Sequence, residues 1–245
     1  TIVCDIYSQQ KNITMGEVNG VQAAGFLNYS MKKMQNAQLA GFANISTSDA
    51  TGLQIAGFSN IATGDMEGIQ ISGFLNAAKK VNGLQLGFIN IADTIESGIP
   101  VGFLSIVRKG FRELEVSFGE GLNTQAAFKI GVDRFYNIFA IGTQFLGSGY
   151  CWGYGYGIGT HLFKTDNFRS QLELMSYHIN EGERHTNVYN DLQQAKLTFT
   201  KKISSHFSVF AGPTINLMIT DNRDGFESDF APYKMFSHSG RNTTI

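Results

Sequence analysis

The chain has 245 residues and a formal net charge of −1, and only 16% of its residues are charged, against about 25% in ordinary soluble domains. This balance offers no basic surface for nucleic acid, and two cysteines are too few for a disulfide framework. Glycine (28), phenylalanine (20) and tyrosine (9) are abundant, yet mean hydropathy is −0.09 and no run approaches the roughly 20 apolar residues of a spanning helix. Such a composition fits an all-β transmembrane barrel, in which only alternate strand residues face lipid.

After an N-terminal segment (residues 1–20), residues 21–110 form a repeat region built on the phrase Gly-Leu-Gln-Ile-Ala-Gly-Phe-x-Asn-Ile. The glycine of its Gly-Phe pair recurs at intervals of 16, 16, 16, 14 and 15 residues. No Asp, Glu, Lys or Arg occurs within the strand-like phrases, so that the charges of this region lie in the gaps between them. Self-similarity of this kind is typical of repeat architectures.

Two architectures can produce these repeats. In a β-solenoid each repeat is one coil that stacks in parallel on the previous one; in an up-and-down barrel each repeat is one antiparallel strand. The equivalence of all the repeats favours the solenoid, and so do hydrophobic residues within the gaps, such as Met34, Met66, Val81 and Ile95, which a solenoid could point inward. The uncharged phrases favour the barrel, because a solenoid in water is expected to carry charges on its outward positions.

The sign of the gap charges also favours the barrel. From residue 64 onward the gaps alternate, with Asp65 and Glu67 followed by Lys79 and Lys80, and then by further acidic and basic pairs. Turns on opposite sides of a membrane can differ in this way. We therefore predict barrel strands in the repeat region, and a solenoid as the alternative.

Individual strands follow in residues 111–245. The segment ELEVSFGE alternates apolar and acidic residues, and CWGYGYGIGTHLF alternates large side chains with glycines, as expected for strands with one lipid-facing side. Pro213 predicts a bulge. Seven strands are predicted, with long outer loops between the later ones: 111–118, 123–131, 134–145, 150–163, 168–182, 187–203 and 207–221.

Strand counting leaves both architectures open. Six repeat strands, seven later strands and one closing strand give an antiparallel transmembrane barrel of about 14 strands. With a solenoid in the repeat region, the remaining strands give an eight-stranded barrel. The closing strand is expected after Thr243, or from the N-terminal stretch TIVCDIY.

The repeat phrase, followed by GIPVGFLSIVRKG and by strands that end in FSVFAGP, resembles the surface-repeat outer-membrane barrel proteins of Gram-negative bacteria, especially those of the Bacteroides type. The resemblance covers most of the chain and implies a location in the cell outer membrane. It brings no catalytic residues, so no site is carried over from it.

The polar and aromatic series of the chain are the candidate site residues. The amides of the repeats are predicted to line a lumen, either paired with one another in a filled barrel or facing neutral polar solutes in an open one. Aromatic residues are predicted to form a lipid-facing girdle. The predicted lumen-lining residues are Gln22, Gln38, Gln54, Gln70, Gln85, Asn28, Asn44, Asn60 and Asn76, and the predicted girdle residues are Tyr29, Trp152, Tyr154 and Tyr156.

No pattern in the sequence points to catalysis. Ser176 and His178 share one strand face while Glu173 lies on the opposite one, so a hydrolytic triad is not expected to form locally. The acidic segment 221–229 has Thr220 where a calcium loop requires an acid. We predict a protein that is not an enzyme and needs neither a cofactor nor a metal.

The function expected from the sequence is that of an integral outer-membrane barrel serving as a passive pore for small neutral polar solutes. A non-catalytic accessory subunit with a filled lumen that binds a protein partner is the first alternative, and a barrel-anchored repeat adhesin is the second. The expected partners are the lipid bilayer and a protein of an outer-membrane complex, and not nucleic acid.

Overall fold

The computed structural model describes residues 5–6, 11–119, 121–145, 151–181, 190–221 and 243–244. These residues form an all-β structure. No helix in the described ranges is long and apolar enough to cross a membrane. The chain divides into two compact units, residues 1–111 with 130–135 and residues 112–129 with 136–245. The first unit is built on a β-solenoid and the second on an antiparallel half-barrel.

The solenoid consists of parallel strands, and residues one repeat apart lie side by side. Gln38 pairs with Gln54, and Gln54 pairs with Gln70, each time between neighbouring parallel strands of successive coils. Each regular coil has a longer strand and a four-residue strand, which join two separate parallel ladders. The strands are β1 (Asp5–Ile6), β2 (Lys11–Thr14), β3 (Val18–Ala24), β4 (Leu27–Ser30), β5 (Met34–Ala40), β6 (Ala43–Ser46), β7 (Ala50–Ala56), β8 (Ser59–Ala62), β9 (Asp65–Ser72), β10 (Leu75–Leu86), β11 (Ile89–Val101) and β12 (Leu104–Val107).

The prediction of a 14-stranded antiparallel barrel is wrong, because the repeat strands pair in parallel, as the solenoid alternative predicted. The alternating gap charges have a different cause from the one expected. Successive gaps stack on one another in the solenoid, so opposite signs meet: Lys80 Nζ lies 2.8 Å from Glu96 Oε2, and Arg108 Nε lies 3.0 Å from Asp93 Oδ1. Because the charge sign alternates from one gap to the next, oppositely charged side chains of neighbouring coils attract each other.

The hydrophobic residues of the gaps form the apolar core of the solenoid, as expected for a solenoid in the sequence analysis. Met34, Met66 and Val81 are fully buried, and Ile95 packs against the same cluster together with alanines. Where the repeat interval shortens to 14 and 15 residues, the gap becomes part of a continuous strand. The long strands β10 and β11 therefore belong to both ladders, with a register shift between Val81 and Asn82.

The residue two positions before each glutamine of the repeats has a positive φ, and it is a glycine in every repeat except one, where Asn36 has a φ of 85°. Gly52 and Gly68 have φ values of +112° and +130°, in the region that favours glycine. A Cβ atom at either position would lie 2.1 Å from the carbonyl oxygen of the preceding coil. The glycine therefore allows the coils to approach to strand-pairing distance at this point.

The second unit contains the antiparallel sheet, in the order β13-β14-β15-β16-β17-β18-β20-β21, with β19 beside β18. The seven predicted strands are confirmed with small changes at their ends. At Gly212 and Pro213 the last of them is interrupted instead of bulged, since β19 and β20 pair with β18 on either side of this point. The strands are β13 (Phe111–Phe118), β14 (Thr124–Val132), β15 (Phe135–Gln144), β16 (Cys151–Lys164), β17 (Phe168–Glu181), β18 (Asn190–Lys202), β19 (Ser208–Ala211), β20 (Thr214–Asp221) and β21 (Thr243–Thr244).

Closure of the sheet differs from the predicted barrel. Within the described ranges β13 and β21 are the two ends of the sheet and are not paired with each other, so the sheet is a half-barrel. The N-terminal stretch does not supply the closing strand, because Asp5 and Ile6 pair with β3 of the solenoid. The predicted outer loops are 180–187 and 222–242. Asn180 and Glu181 belong to β17, and the rest of both loops, with most of the acidic segment 221–229, lies outside the described residues.

Candidate functional site

The amides predicted to line a lumen lie in the interior of the solenoid. Each glutamine of the series is at most 1% exposed, and each asparagine is fully buried. They stack in register along the coils, since parallel pairing places each amide beside its equivalent in the next repeat. The structure therefore places these residues in the core of the solenoid and not along the lumen of a barrel.

The glutamines form a continuous hydrogen-bonded ladder. Each side-chain amide donates from Nε2 to the Oε1 atom of the preceding glutamine at 2.7–2.8 Å, from Gln85 through to Gln22. Gln22 in turn donates to Thr14 Oγ1 at 2.7 Å. An amide is both donor and acceptor, so the glutamines satisfy one another along the row except at its end, where Gln85 Oε1 has no partner.

The asparagines form a second ladder, which also joins the two strand ladders of the solenoid. Asn44 Nδ2 donates to Asn60 Oδ1 at 2.9 Å and to the carbonyl oxygen of Ile55 at 2.8 Å. Asn60 repeats the arrangement one coil further on, with Asn76 Oδ1 at 3.0 Å and Ile71 O at 2.8 Å. The regular spacing of Gln and Asn in the repeats is therefore explained by the packing of the solenoid.

The Gly-Phe turn of each coil places a phenylalanine at one edge of the solenoid, called here the phenylalanine edge. Neighbouring rings lie nearly parallel, with centroids 4.8–6.0 Å apart. All six side chains are 39–48% exposed. The residues are Phe26, Phe42, Phe58, Phe74, Phe88 and Phe103.

Aliphatic side chains flank the phenylalanine edge on both strand ladders. On one side lie Leu39, Ile69 and Leu86, each about two-fifths exposed, and on the other side lies Ile91 at 40% exposure. Around the phenylalanine edge, therefore, an apolar surface covers the buried amides, which is the reverse of the usual arrangement in water. The uncharged phrases, which were predicted to be barrel strands, form parallel strands and turns of the solenoid.

The opposite edge of the solenoid, called here the charged edge, is formed by the gaps between the repeated phrases. Its charged residues include Asp49, Asp65, Lys80, Asp93, Glu96 and Arg108. The hydrogen bond to Glu96, helped by the charges of Glu96 and Asp65, raises the pKa of the Lys80 ammonium group. Asp49 Oδ1 accepts a hydrogen bond of 2.9 Å from the backbone N–H of Asp65 in the next coil. The two edges of the solenoid thus differ completely in polarity.

The predicted girdle residues of the half-barrel lie on its outward face. Trp152 and Tyr154 are 45% and 54% exposed. Tyr156 is half-buried, and its hydroxyl accepts a hydrogen bond of 2.8 Å from Asn137 Nδ2. Tyr29 belongs to the solenoid instead, half-buried on strand β4.

The inward face of the half-barrel buries an ion network that sequence analysis missed. Lys129, on β14, binds both Glu115 and Glu173, and Lys196 Nζ donates to Glu115 Oε1 at 2.9 Å. Tyr136 donates its hydroxyl hydrogen to Glu173 Oε1 at 2.8 Å. All of these side chains are at most 6% exposed. The signal was present in the sequence, because each charged residue alternates with apolar residues along its strand.

The glycines opposite the girdle make room for large inward side chains. A Cβ atom at Gly159 would lie 2.4 Å from the ring of Tyr136, and one at Gly155 would lie 2.6 Å from the ring of Tyr177. Gly157 is similarly close to Met175, with 2.7 Å to its Cγ atom. This face is therefore occupied by packed side chains.

The two residues weighed as parts of a hydrolytic site have other neighbours. Ser176 Oγ accepts a hydrogen bond of 2.7 Å from Gln193 Nε2. His178 Nδ1 lies 3.7 Å from Asp191 Oδ1, and its ring is tilted against that of Tyr154. The arrangement gives no support to nucleophilic catalysis.

The described residues thus contain two surfaces suited to apolar surroundings: the phenylalanine edge of the solenoid and the outward face of the half-barrel. Comparison of the chain with protein-family models, with curated proteins and with solved structures gives no match.

Proposed function

We propose that this chain is a non-catalytic integral outer-membrane protein of a Gram-negative bacterium, in which the half-barrel belongs to a membrane-embedded barrel wall. The solenoid serves as its structural or binding module. The observation that carries the proposal is the inverted polarity of the half-barrel, which has apolar side chains outside and charges inside. The resemblance of the repeats to surface-repeat outer-membrane proteins supports the location.

Strand β13 shows the inversion within a few residues. Leu114 and Val116 are 75% and 53% exposed, whereas Glu115 between them is 4% exposed. On β17 the pattern is the same, since Leu174 is 53% exposed and Glu173 is fully buried. In water this arrangement would cost free energy on both faces. In a lipid bilayer the outward apolar face is stabilised, as in outer-membrane barrels.

The occupied inward face favours an anchoring or accessory protein over a passive pore. The ion network of Glu115, Lys129, Glu173 and Lys196 extends through Glu113 to Arg169. It then has three positive and three negative side chains, so it is neutral as a whole. Tyr136 and Tyr177 fill the space opposite the glycines of β16. A neutral, packed interior supports a barrel that holds the protein in the membrane, while the solenoid is available to a partner in an outer-membrane complex.

Tryptophan fluorescence in lipid vesicles tests the membrane location. Trp152 is the single tryptophan of the chain and lies on the outward face, so its emission reports on this face alone. We expect phospholipids brominated on their acyl chains to quench the reconstituted protein, and the Trp152→Phe variant provides the background. Emission that acrylamide quenches but brominated lipid does not would contradict the proposal.

Planar-bilayer recording distinguishes an anchor from a pore. We expect the inserted protein to be electrically silent, because its inward face is occupied by paired and packed side chains. Steady unitary openings of the same preparation would establish the pore and overturn the filled interior. Insertion is verified on that preparation by the quenching of Trp152.

A further inference from the structure

The phenylalanine edge is a convex apolar surface that no described part of the solenoid covers. Its six rings follow one another at about the strand spacing of 4.8 Å, so that the edge is roughly 24 Å long. Leu39 and Ile69 continue the apolar surface onto one strand ladder, and Ile91 continues it onto the other. Apolar surface on this scale marks an interaction site in a protein otherwise exposed to water.

Most amide side chains of the solenoid interior pair with other protein groups, and three buried atoms there, Ser72 Oγ, Asn82 Oδ1 and Gln85 Oε1, have no partner. The amide of Asn60 donates to Asn76 and to the carbonyl oxygen of Ile71, and it accepts from Asn44. Gln54 both accepts from Gln70 and donates to Gln38. The parallel ladders pair the strand backbones, and the turns continue them, as in the bond of 2.9 Å from Phe58 N to Phe42 O. Internal satisfaction of this kind is what a low-dielectric environment requires of a backbone.

The charged edge limits the depth to which the solenoid can insert into an apolar medium. Between Phe58 and the exposed Thr63 lies only β8, which has four residues, or about 13 Å at the usual rise per residue. Half of a hydrocarbon core of about 30 Å is roughly 15 Å. The apolar part of the solenoid therefore corresponds in depth to a single lipid leaflet.

We infer that the phenylalanine edge of the solenoid inserts into the hydrocarbon of one leaflet of a phospholipid bilayer, with the charged edge at the aqueous surface. A second copy of the chain or a flat protein surface would cover one strand ladder, whereas lipid chains can surround a convex edge from both sides. The confinement of charge to the opposite edge fits an interfacial position. This inference concerns the solenoid alone and does not depend on the half-barrel spanning the membrane.

Tryptophan placed on the two edges tests the inference in the full-length protein. In the Trp152→Phe background, Phe58→Trp places the reporter on the phenylalanine edge and Thr63→Trp places it on the charged edge of the same coil. We expect brominated phospholipid to quench the Phe58→Trp protein and to leave the Thr63→Trp protein unquenched. Phe26→Trp, at the end of the edge, repeats the measurement in case Phe58→Trp disturbs the ring stack.

Each other outcome overturns the inference. Quenching of the Phe58→Trp protein by acrylamide alone would place the edge in water. If neither acrylamide nor brominated lipid quenched the Phe58→Trp protein, the phenylalanine edge would lie against protein. The mass of the complex would then show whether that protein is a second copy of this chain. Because Trp152 reports on the half-barrel in the unmodified chain, a failure of brominated lipid to quench Trp152 would refute the proposed function separately from the solenoid insertion.

Discussion

The solenoid and the half-barrel both bury polar side chains beneath an apolar surface, but they use different chemistry to do so. The solenoid interior holds neutral amides such as Gln54 and Asn60, whereas the half-barrel interior holds ions such as Lys129 and Glu173. Strand direction explains the difference. Parallel in-register stacking places each residue beside its own equivalent, where like charges would repel and self-complementary amides pair. Antiparallel strands bring different residues together, so a lysine can meet a glutamate.

The charged edge of the solenoid supports this explanation. Charges do occur there, but in the later coils their sign changes from one coil to the next, so that Lys80 meets Glu96 and Asp93 meets Arg108. Stacking therefore permits a charged row where the sign alternates. Substitutions within the two interiors and on the charged edge can test this explanation.

Removing the central cation of the half-barrel should have the largest effect. Lys129→Met leaves Glu115 and Glu173 buried with one cation fewer, and breaking a buried ion pair in this way costs about 4 kcal/mol. We expect the free energy of unfolding to fall by that amount in urea titrations of the protein in detergent micelles, followed by Trp152 emission. Lys201→Met, at an exposed position on β18, is the control. Equal stability of the two variants would show that the ion network contributes little.

The close approach of the coils can be tested at Gly68. Gly68→Ala forces a side chain onto a backbone at φ +130° and brings its Cβ atom to 2.1 Å from the Gly52 carbonyl oxygen. We expect a loss of about 3 kcal/mol, seen as faster hydrogen exchange of the solenoid peptides by mass spectrometry. Gly16→Ala, whose Cβ would have no neighbour within 4 Å, should leave exchange unchanged. Unchanged exchange in Gly68→Ala would mean that the coils are not packed in this register.

A single amide can be removed from the asparagine ladder. Asn60→Ala deprives Ile71 O and Asn76 Oδ1 of a donor, while Asn44 keeps its bond of 2.8 Å to Ile55 O. The expected loss is therefore about 2 kcal/mol, again measured by hydrogen exchange of the solenoid peptides. Asn19→Ala, at an exposed position, is the matched control. If both variants behaved alike, the buried ladder would not be a source of stability.

The charged edge should give the smallest effect. Lys80→Met removes the ion pair with Glu96, which is exposed to solvent and screened by salt. We expect a slight increase in hydrogen exchange of the last coils at low ionic strength, which disappears in high salt. Lys79→Met, at the neighbouring exposed position, should show no such salt dependence. A large effect at any salt concentration would mean that the pair is not a surface interaction.

Much of the half-barrel could be predicted from the sequence, because its signal is local. Alternation along β16, with Trp152 and Tyr154 opposed to glycines, gives the strand and its outward face directly. The ion network was missed because Glu115, Lys129 and Glu173 lie far apart in the chain, and a strand pattern does not show which inward residues meet. For the repeats the period was clear, but the apolar phrases and alternating signs suited a barrel as well as a solenoid.

From the sequence alone it follows that the protein is all-β, that its repeats have a period of about 16 residues, and that the repeated phrases contain no charged residue. These features follow from composition and spacing along the chain. Only the tertiary structure decided the direction of strand pairing, and with it the location of Gln54 and Asn60 in a closed interior. The physical reason is that a period of alternation is the same for parallel and antiparallel strands, whereas the neighbour of each side chain depends on how the strands are stacked.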